Sequence, residues 1–176
     1  GSTARLPGHL TRSTRPSSST RRTPAPTVGQ HTRAILAELE GSQANDPVPT
    51  GALDQALSGV KVLDMMWVMA GPASTGVLAQ YGATVVRVEN EARLDTARLL
   101  APWYGGKVGK ETSFAFGSIN ANKLSTTIDP NSPEGRETIL ELVQWADIVT
   151  ESFSPRAMAK WGLDYASLKK VKPDLI

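Results

Sequence analysis

Apolar residues are unevenly spread along the chain, and their period changes from segment to segment. Val60–Met65 is largely apolar, with valines at 60 and 62, which predicts a buried strand. Gly71-Pro72 breaks that run. Ala73–Tyr81 follows with Val77, Leu78 and Tyr81 at helical spacing, and Gly82 closes the helix. Thr84–Val88 (TVVRV) is a second strand. Strand, helix and strand within about thirty residues make a βαβ unit with parallel strands and a right-handed crossover. Residues 89–112 are rich in glycine and charge and read as one long functional loop. Ser125–Asp129 is a short strand. Ser132-Pro133-Glu134 then opens a helix with a capping hydroxyl, a proline at the first helical position and an acid near the positive end. Ile139, Leu142, Val143 and Ala146 continue it on one face. Asp147–Thr150 is a strand, Ser154-Pro155 starts another helix, Asp164 caps a last helix running to Val171, and Pro173–Ile176 opens a strand. The class is α/β.

Ahead of this region the pattern disappears. Residues 3–27 are dominated by Arg, Ser, Thr and Pro and hold too few apolar groups to offset their ordering entropy, so residues 1–27 are expected to be a disordered tail. Residues 28–56 read as a short helix over 32–39, with Ile35, Leu36 and Leu39 on one face, followed by a linker. The sequence is 176 residues long and carries a formal net charge of +2, but six of its 19 basic residues fall in 1–33, which holds no acid. The other 13 face all 17 acidic residues, a balance of −4. A mildly acidic domain gives no electrostatic reason to expect a nucleic-acid partner, and no aromatic residue is interleaved in the basic tail for base stacking. No cysteine is present, which excludes disulfides, thiolate nucleophiles and Cys-based zinc sites. No apolar run is long enough to span a membrane, and the expected compartment is the cytoplasm.

The natural ligand site of such a fold lies outside the carboxyl ends of the strands. The first strand-to-helix loop is Trp67–Thr75. It matches neither the dinucleotide fingerprint, since only Gly71 and Gly76 are available, nor the P-loop, since Val77 and Leu78 follow Gly76. Glu89 stands where a dinucleotide-binding Rossmann enzyme keeps its ribose-binding acid, and also reads as a solvated acid at a strand end. His9 and His31 both precede the domain, which leaves no local material for a Ser-His-Asp triad or a His-based metal site. Asp64, Asp95, Asp129 and Asp147 are available acids that nothing in the sequence pairs. Asn120, Asn122 and Lys123 read as a turn whose side chains bond the backbone.

Six segments, in order, resemble the class III coenzyme A transferases of the CaiB/BaiF type: LSGVKVLDMMWVMAGP, GATVVRVEN, DTAR, NANKLSTTIDPNSPEGR, ADIVTESFSP and MAKWGLDYASLKKVKPDLI. That group includes formyl-CoA and carnitine-CoA transferases and α-methylacyl-CoA racemase. The resemblance covers residues 57–176 and implies the CoA-binding part of a Rossmann-like domain. It also implies transfer of CoA from an acyl-CoA to a carboxylic acid acceptor, with no metal. The family's catalytic aspartate lies beyond the segment matched here by Lys172–Ile176, so no catalytic residue is expected in this chain. A second stretch, PAPTVGQHTRAILAEL (24–39), is similar to the family's C-terminal segment, with Gln30 in place of an acid. This implies a tandem polypeptide, as an alternative to the homodimer that the family forms. The rival readings are a CoA-thioester racemase, a non-catalytic half serving dimerisation or scaffolding, and a NAD-binding Rossmann domain supported only by Glu89.

Carried over residue by residue, the resemblance places CoA contacts on Met69, Ala70, Asn90, Ile128, Asn131, Ser152, Phe153 and Lys160. Met69 stands where the family often has Gln, Asn90 where it often has Arg, Asn131 where Lys is common and Ser152 where Asn is. Two cations expected near phosphate are therefore missing, and Arg93 and Arg98 are near enough in sequence to replace them.

Overall fold

The computed structural model describes residues 24–41 and 55–176. Four strands, β1 (Lys61–Met65), β2 (Thr84–Glu89), β3 (Leu124–Thr127) and β4 (Ile148–Glu151), form one sheet of order β3-β2-β1-β4. All three pairings are parallel, with Leu63 opposite Val86 in β2 and Val149 in β4. The helices are α1 (Thr32–Gly41), α2 (Ala70–Gln80), α3 (Phe114–Ile119), α4 (Pro133–Trp145), α5 (Pro155–Trp161) and α6 (Tyr165–Val171). The sheet is covered on both faces, as a parallel sheet requires. Val62 and Val85 pack with Ala79 and Ala83 on one side. Leu63, Met65, Val86 and Val88 pack with Ile139, Leu142, Val143, Met158 and Leu163 on the other.

Three local expectations need revision. The helix α2 begins at Ala70, three residues before the predicted Ala73. Pro72 therefore lies in the first turn, where its missing N–H would have had no helical partner, and it does not break the run. The stretch read as one loop holds two 3-10 turns, Thr96–Leu99 and Tyr104–Gly106, and the helix α3 follows it, nucleated by Ser113 capping Phe116 N–H at 3.2 Å. Pro173–Ile176 is not a strand, yet Ile176 exchanges backbone hydrogen bonds with Asp147 and Val149 along the outer edge of β4.

The described segment ahead of β1, residues 24–41, packs against the domain. Pro26 is buried and its carbonyl accepts Arg98 Nη2 at 3.3 Å. The boundary expected after residue 27 thus falls inside a packed segment, while residues 1–23 and 42–54, the latter holding the expected linker, lie outside the described ones. The free edge of β3 is capped by this segment. His31 N–H donates to Ser125 O, Ser125 N–H donates to His31 Nδ1 and Thr127 N–H donates to Thr32 Oγ1. Ile35 of α1 completes the seal by entering the main core. Among the described residues no helix is long and apolar enough to cross a membrane.

Candidate ligand site at the strand C-termini

Beneath the carboxyl ends of β1 and β2 lies a set of fully buried ions. Asp64, Glu89 and Asp95 face Arg87, Arg98 and Lys123, each no more than 2% exposed. Lys123 Nζ meets Asp64 Oδ2 at 2.9 Å and also donates to Pro72 O, Thr75 Oγ1 and Asn120 Oδ1. Its pKa is held down to about 8 by burial, against the opposing pull of Asp64. Arg98 grips Glu89 with two bonds, Nε to Oε1 at 2.9 Å and Nη2 to Oε2 at 2.7 Å, and reaches Glu111 at 2.8 Å. Arg87 is paired with Asp95 and donates to Met66 O at 2.7 Å.

These pairings overturn several sequence readings. Glu89 is neither solvated nor available to a ribose: burial would raise its pKa, but Arg98, the charge of Arg87 and the hydroxyl of Ser125 together hold it lowered. Arg98 cannot replace a missing phosphate-binding cation, because both its charge and its surface are used internally. The turn at 120–123 does form, with Asn122 at φ 65° and Asn120 Nδ2 bonding Phe116 O, but Lys123 is an ion-pair partner under the sheet rim. Asp64 and Asp95 are paired after all.

The buried ions also shape the first strand-to-helix loop. Val68 has φ 72°, an outlier for a β-branched residue, and its N–H is held by both oxygens of the Asp95 carboxylate at 3.1 and 3.2 Å. Asp95 in turn caps Ala97 N–H. Beyond this clamp Met69 and Ala70 are exposed at the start of α2.

The other predicted positions gather along the same rim, in different states. Trp67 N–H donates to Ser152 Oγ at 3.0 Å, tying the β1–α2 loop to the β4–α5 loop. Phe153 stands edge-on to both Trp67 and Trp161, with ring centroids 5.4 and 5.1 Å apart. Asn90 Oδ1 accepts Ala92 N–H, and the Asn90 side chain also bonds Asp129. The Ile128 side chain is in the main core and its N–H is taken by Glu89 O, which leaves only its carbonyl for a ligand. Asn131 is occupied: its Oδ1 accepts Trp161 Nε1 at 3.0 Å and its Nδ2 donates to Asp129 Oδ1 at 2.9 Å.

Asn131 and Lys160 line one pocket of about 590 Å³ between the β3–α4 loop and the end of α5, shared with Ser132, Arg136, Trp161 and Gly162. Lys160 is exposed and has no ion pair among the described residues. Sequence reasoning missed Arg136. The available signal was its place one turn after the Ser132 cap, on the end of α4 that faces the strand C-termini. It also missed the Asp95 clamp, which no local motif announces.

A parallel sheet with these side chains along its C-terminal rim defines a Rossmann-like α/β ligand-binding domain. The sequence profile of CoA-transferase family III matches residues 57–176, and the chain belongs to that family. It is 39% identical over 127 residues to an acyl-CoA transferase of Fusarium pseudograminearum, covering 69% of this chain and 27% of that protein. It is 34% identical over 122 residues to a formyl-CoA:oxalate CoA-transferase of Afipia carboxidovorans (69% and 28% covered). Identity to a succinate–glutarate CoA-transferase of Agrobacterium fabrum is 39% over 122 residues (68% and 30% covered). Among solved structures, a CaiB/BaiF family protein from Brucella suis superposes with a TM-score of 0.62 at 36% identity, covering 69% of this chain and 32% of that one. The chain thus spans less than a third of the length of these curated relatives.

Proposed function

We propose that this chain is the CoA-binding portion of a CoA-transferase that moves CoA from an acyl-CoA to a carboxylic acid acceptor. The reading is carried by the pocket between the β3–α4 loop and α5, where Lys160 and Arg136 stand beside Trp161 without a carboxylate ion-paired to either among the described residues. An anionic ligand with an aromatic moiety suits that surface. The attacking carboxylate belongs to a part of the family fold beyond Ile176. Five of the six described aspartates of the domain, all but the exposed Asp174, support this, because each is engaged in holding the fold. Asp64 pairs with Lys123, Asp95 with Arg87, Asp129 with Asn131 and Asp147 with Lys61 N–H, while Asp164 caps α6. Calorimetry of the full chain should detect CoA binding, and Lys160→Ala should weaken it by roughly 1–2 kcal/mol, the scale of one exposed charge-assisted contact. Equal affinity in the two proteins would remove Lys160 from the site. The chain by itself should leave an acyl-CoA thioester intact in the presence of an acceptor acid.

The placement of residues 24–41 supports a tandem parent protein. A stretch similar to the family's C-terminal segment precedes β1 here and docks on the β3 edge, so we read it as the end of a preceding copy. A homodimer in the cytoplasm is the alternative assembly. A non-catalytic half is favoured by one observation, the exposed Leu99, Leu100, Tyr104, Val108 and Phe114. Absence of CoA binding together with self-association would select that reading.

A further inference from the structure

CoA carries a 3′-phosphate and a diphosphate, and the rim must supply cations to hold them. Most of the bases near it are committed. Arg87, Arg98 and Lys123 are fully buried in ion pairs. Arg93 is exposed but stands over the Trp67 ring, 5.9 Å from its centroid. Asn131, at the position where the resemblance expects a cation, has both ends of its amide engaged by Trp161 and Asp129.

Arg136 is placed differently. Its Nε donates to Trp161 O at 2.7 Å, and its Nη groups have no hydrogen-bond partner among the described residues. The guanidinium lies against Gly162, a left-handed residue at φ 65° that closes α5. A Cβ at that position would stand 2.8 Å from Arg136 Nη2 and 3.4 Å from Cζ, so the glycine provides the room that the guanidinium occupies. An arginine anchored through Nε keeps its two Nη groups for a forked contact with oxygens of one phosphate. Lys160 lines the same pocket as a second cation, with no ion pair among the described residues. Two positive charges on one pocket match a phosphate dianion.

We propose that Arg136 is a phosphate-binding residue of this pocket, acting with Lys160 on CoA in place of the cation that position 131 lacks. The proposal rests on the CoA-binding reading above. The shared chemistry is phosphate, and the 3′-phosphate and the diphosphate are its two sources.

The test is calorimetry of the full chain and its Arg136→Gln, Arg136→Lys and Lys160→Gln variants. The titrants are CoA, dephospho-CoA and adenosine 3′,5′-bisphosphate, and thermal unfolding of each protein is followed in parallel. Arg136→Gln should weaken CoA by about 10-fold or more at an unchanged unfolding temperature. Arg136→Lys should recover part of the loss, since it restores the charge without the fork. A loss seen for CoA and absent for dephospho-CoA assigns Arg136 to the 3′-phosphate; an equal loss for both assigns it to the diphosphate. Either result supports the proposal. If wild type binds CoA and Arg136→Gln binds it equally well, the proposal falls while the CoA reading stands. If wild type binds neither CoA nor the bisphosphate, both fall. A loss that Arg136→Lys leaves unrepaired, accompanied by earlier unfolding, marks Arg136 as a support of the Trp161 turn and overturns the phosphate role.

Discussion

Among single residues, Glu89 shows how expensive components are kept in balance. A buried carboxylate stripped of its partners would be destabilising, and here Arg98, Arg87 and Ser125 surround it. Its pKa is lowered from the ordinary value of 4.5, so its stabilising contribution is present above that value and is lost as pH falls through the folded-state pKa below it. Glu89→Gln should cost about 3–5 kcal/mol near neutral pH, the usual consequence of leaving a buried partner uncompensated. In urea titrations the gap between wild type and variant should narrow below pH 4.5. A gap of constant size would mean that Glu89 does not gain its stability from ionisation. Val68 is a second case, with the opposite expectation. Its positive φ costs on the order of 1–3 kcal/mol, and the residue is 46% exposed, so little packing is at stake. Val68→Gly relieves the strain and adds entropy to the unfolded chain, for a net gain of up to about 1 kcal/mol. A clear loss of stability would show that the Asp95 clamp holds an unstrained loop.

Elements meet at the rim through close backbone approaches. The first turn of α4 lies so near the β3–α4 loop that a Cβ on Gly135 would stand 2.0 Å from Asp129 O. Gly135→Ala must therefore push α4 away from the loop that carries Asp129, Asn131 and Ser132. The expected cost is about 1–3 kcal/mol from overpacking, accompanied by weaker CoA binding because Arg136 moves with the helix. Wild-type stability in chemical denaturation of this variant would contradict the close approach. The edge of β3 follows a related logic. An unpaired strand edge invites association, and the segment carrying His31 and Thr32 blunts it with backbone and side-chain bonds before α1 turns inward.

For the molecule as a whole, the consequence is that packed chain reaches back at least to Pro26, well before the family match at 57. Deleting residues 2–23 should leave the thermal transition nearly unchanged. Extending the deletion through Gly41 removes Ile35 from the core and uncovers β3, and should cost at least the 2–5 kcal/mol of a large buried aliphatic side chain. Equal transitions for the two truncations would show that the segment packs without contributing.

The division between sequence and tertiary structure follows from the range of the forces involved. Local signals sufficed for the βαβ start, for the capped helices at Ser132, Ser154 and Asp164, and for the four strands. Each depends on periodicity or on a cap a few residues away. The family resemblance puts Asn131 and Lys160 among the expected CoA contacts, and only the fold shows that both line one pocket. The pairing of Asp64 with Lys123 across 59 residues, of Arg98 with Pro26 across 72, and of the first loop with Ser152 across 85 has no local signature. Those contacts exist because parallel strands bring distant carboxyl ends side by side. Burial then makes partners obligatory for charges that would be solvated on an open chain. The same burial divided the cations: it took Arg98 and left Arg136 and Lys160 at the surface.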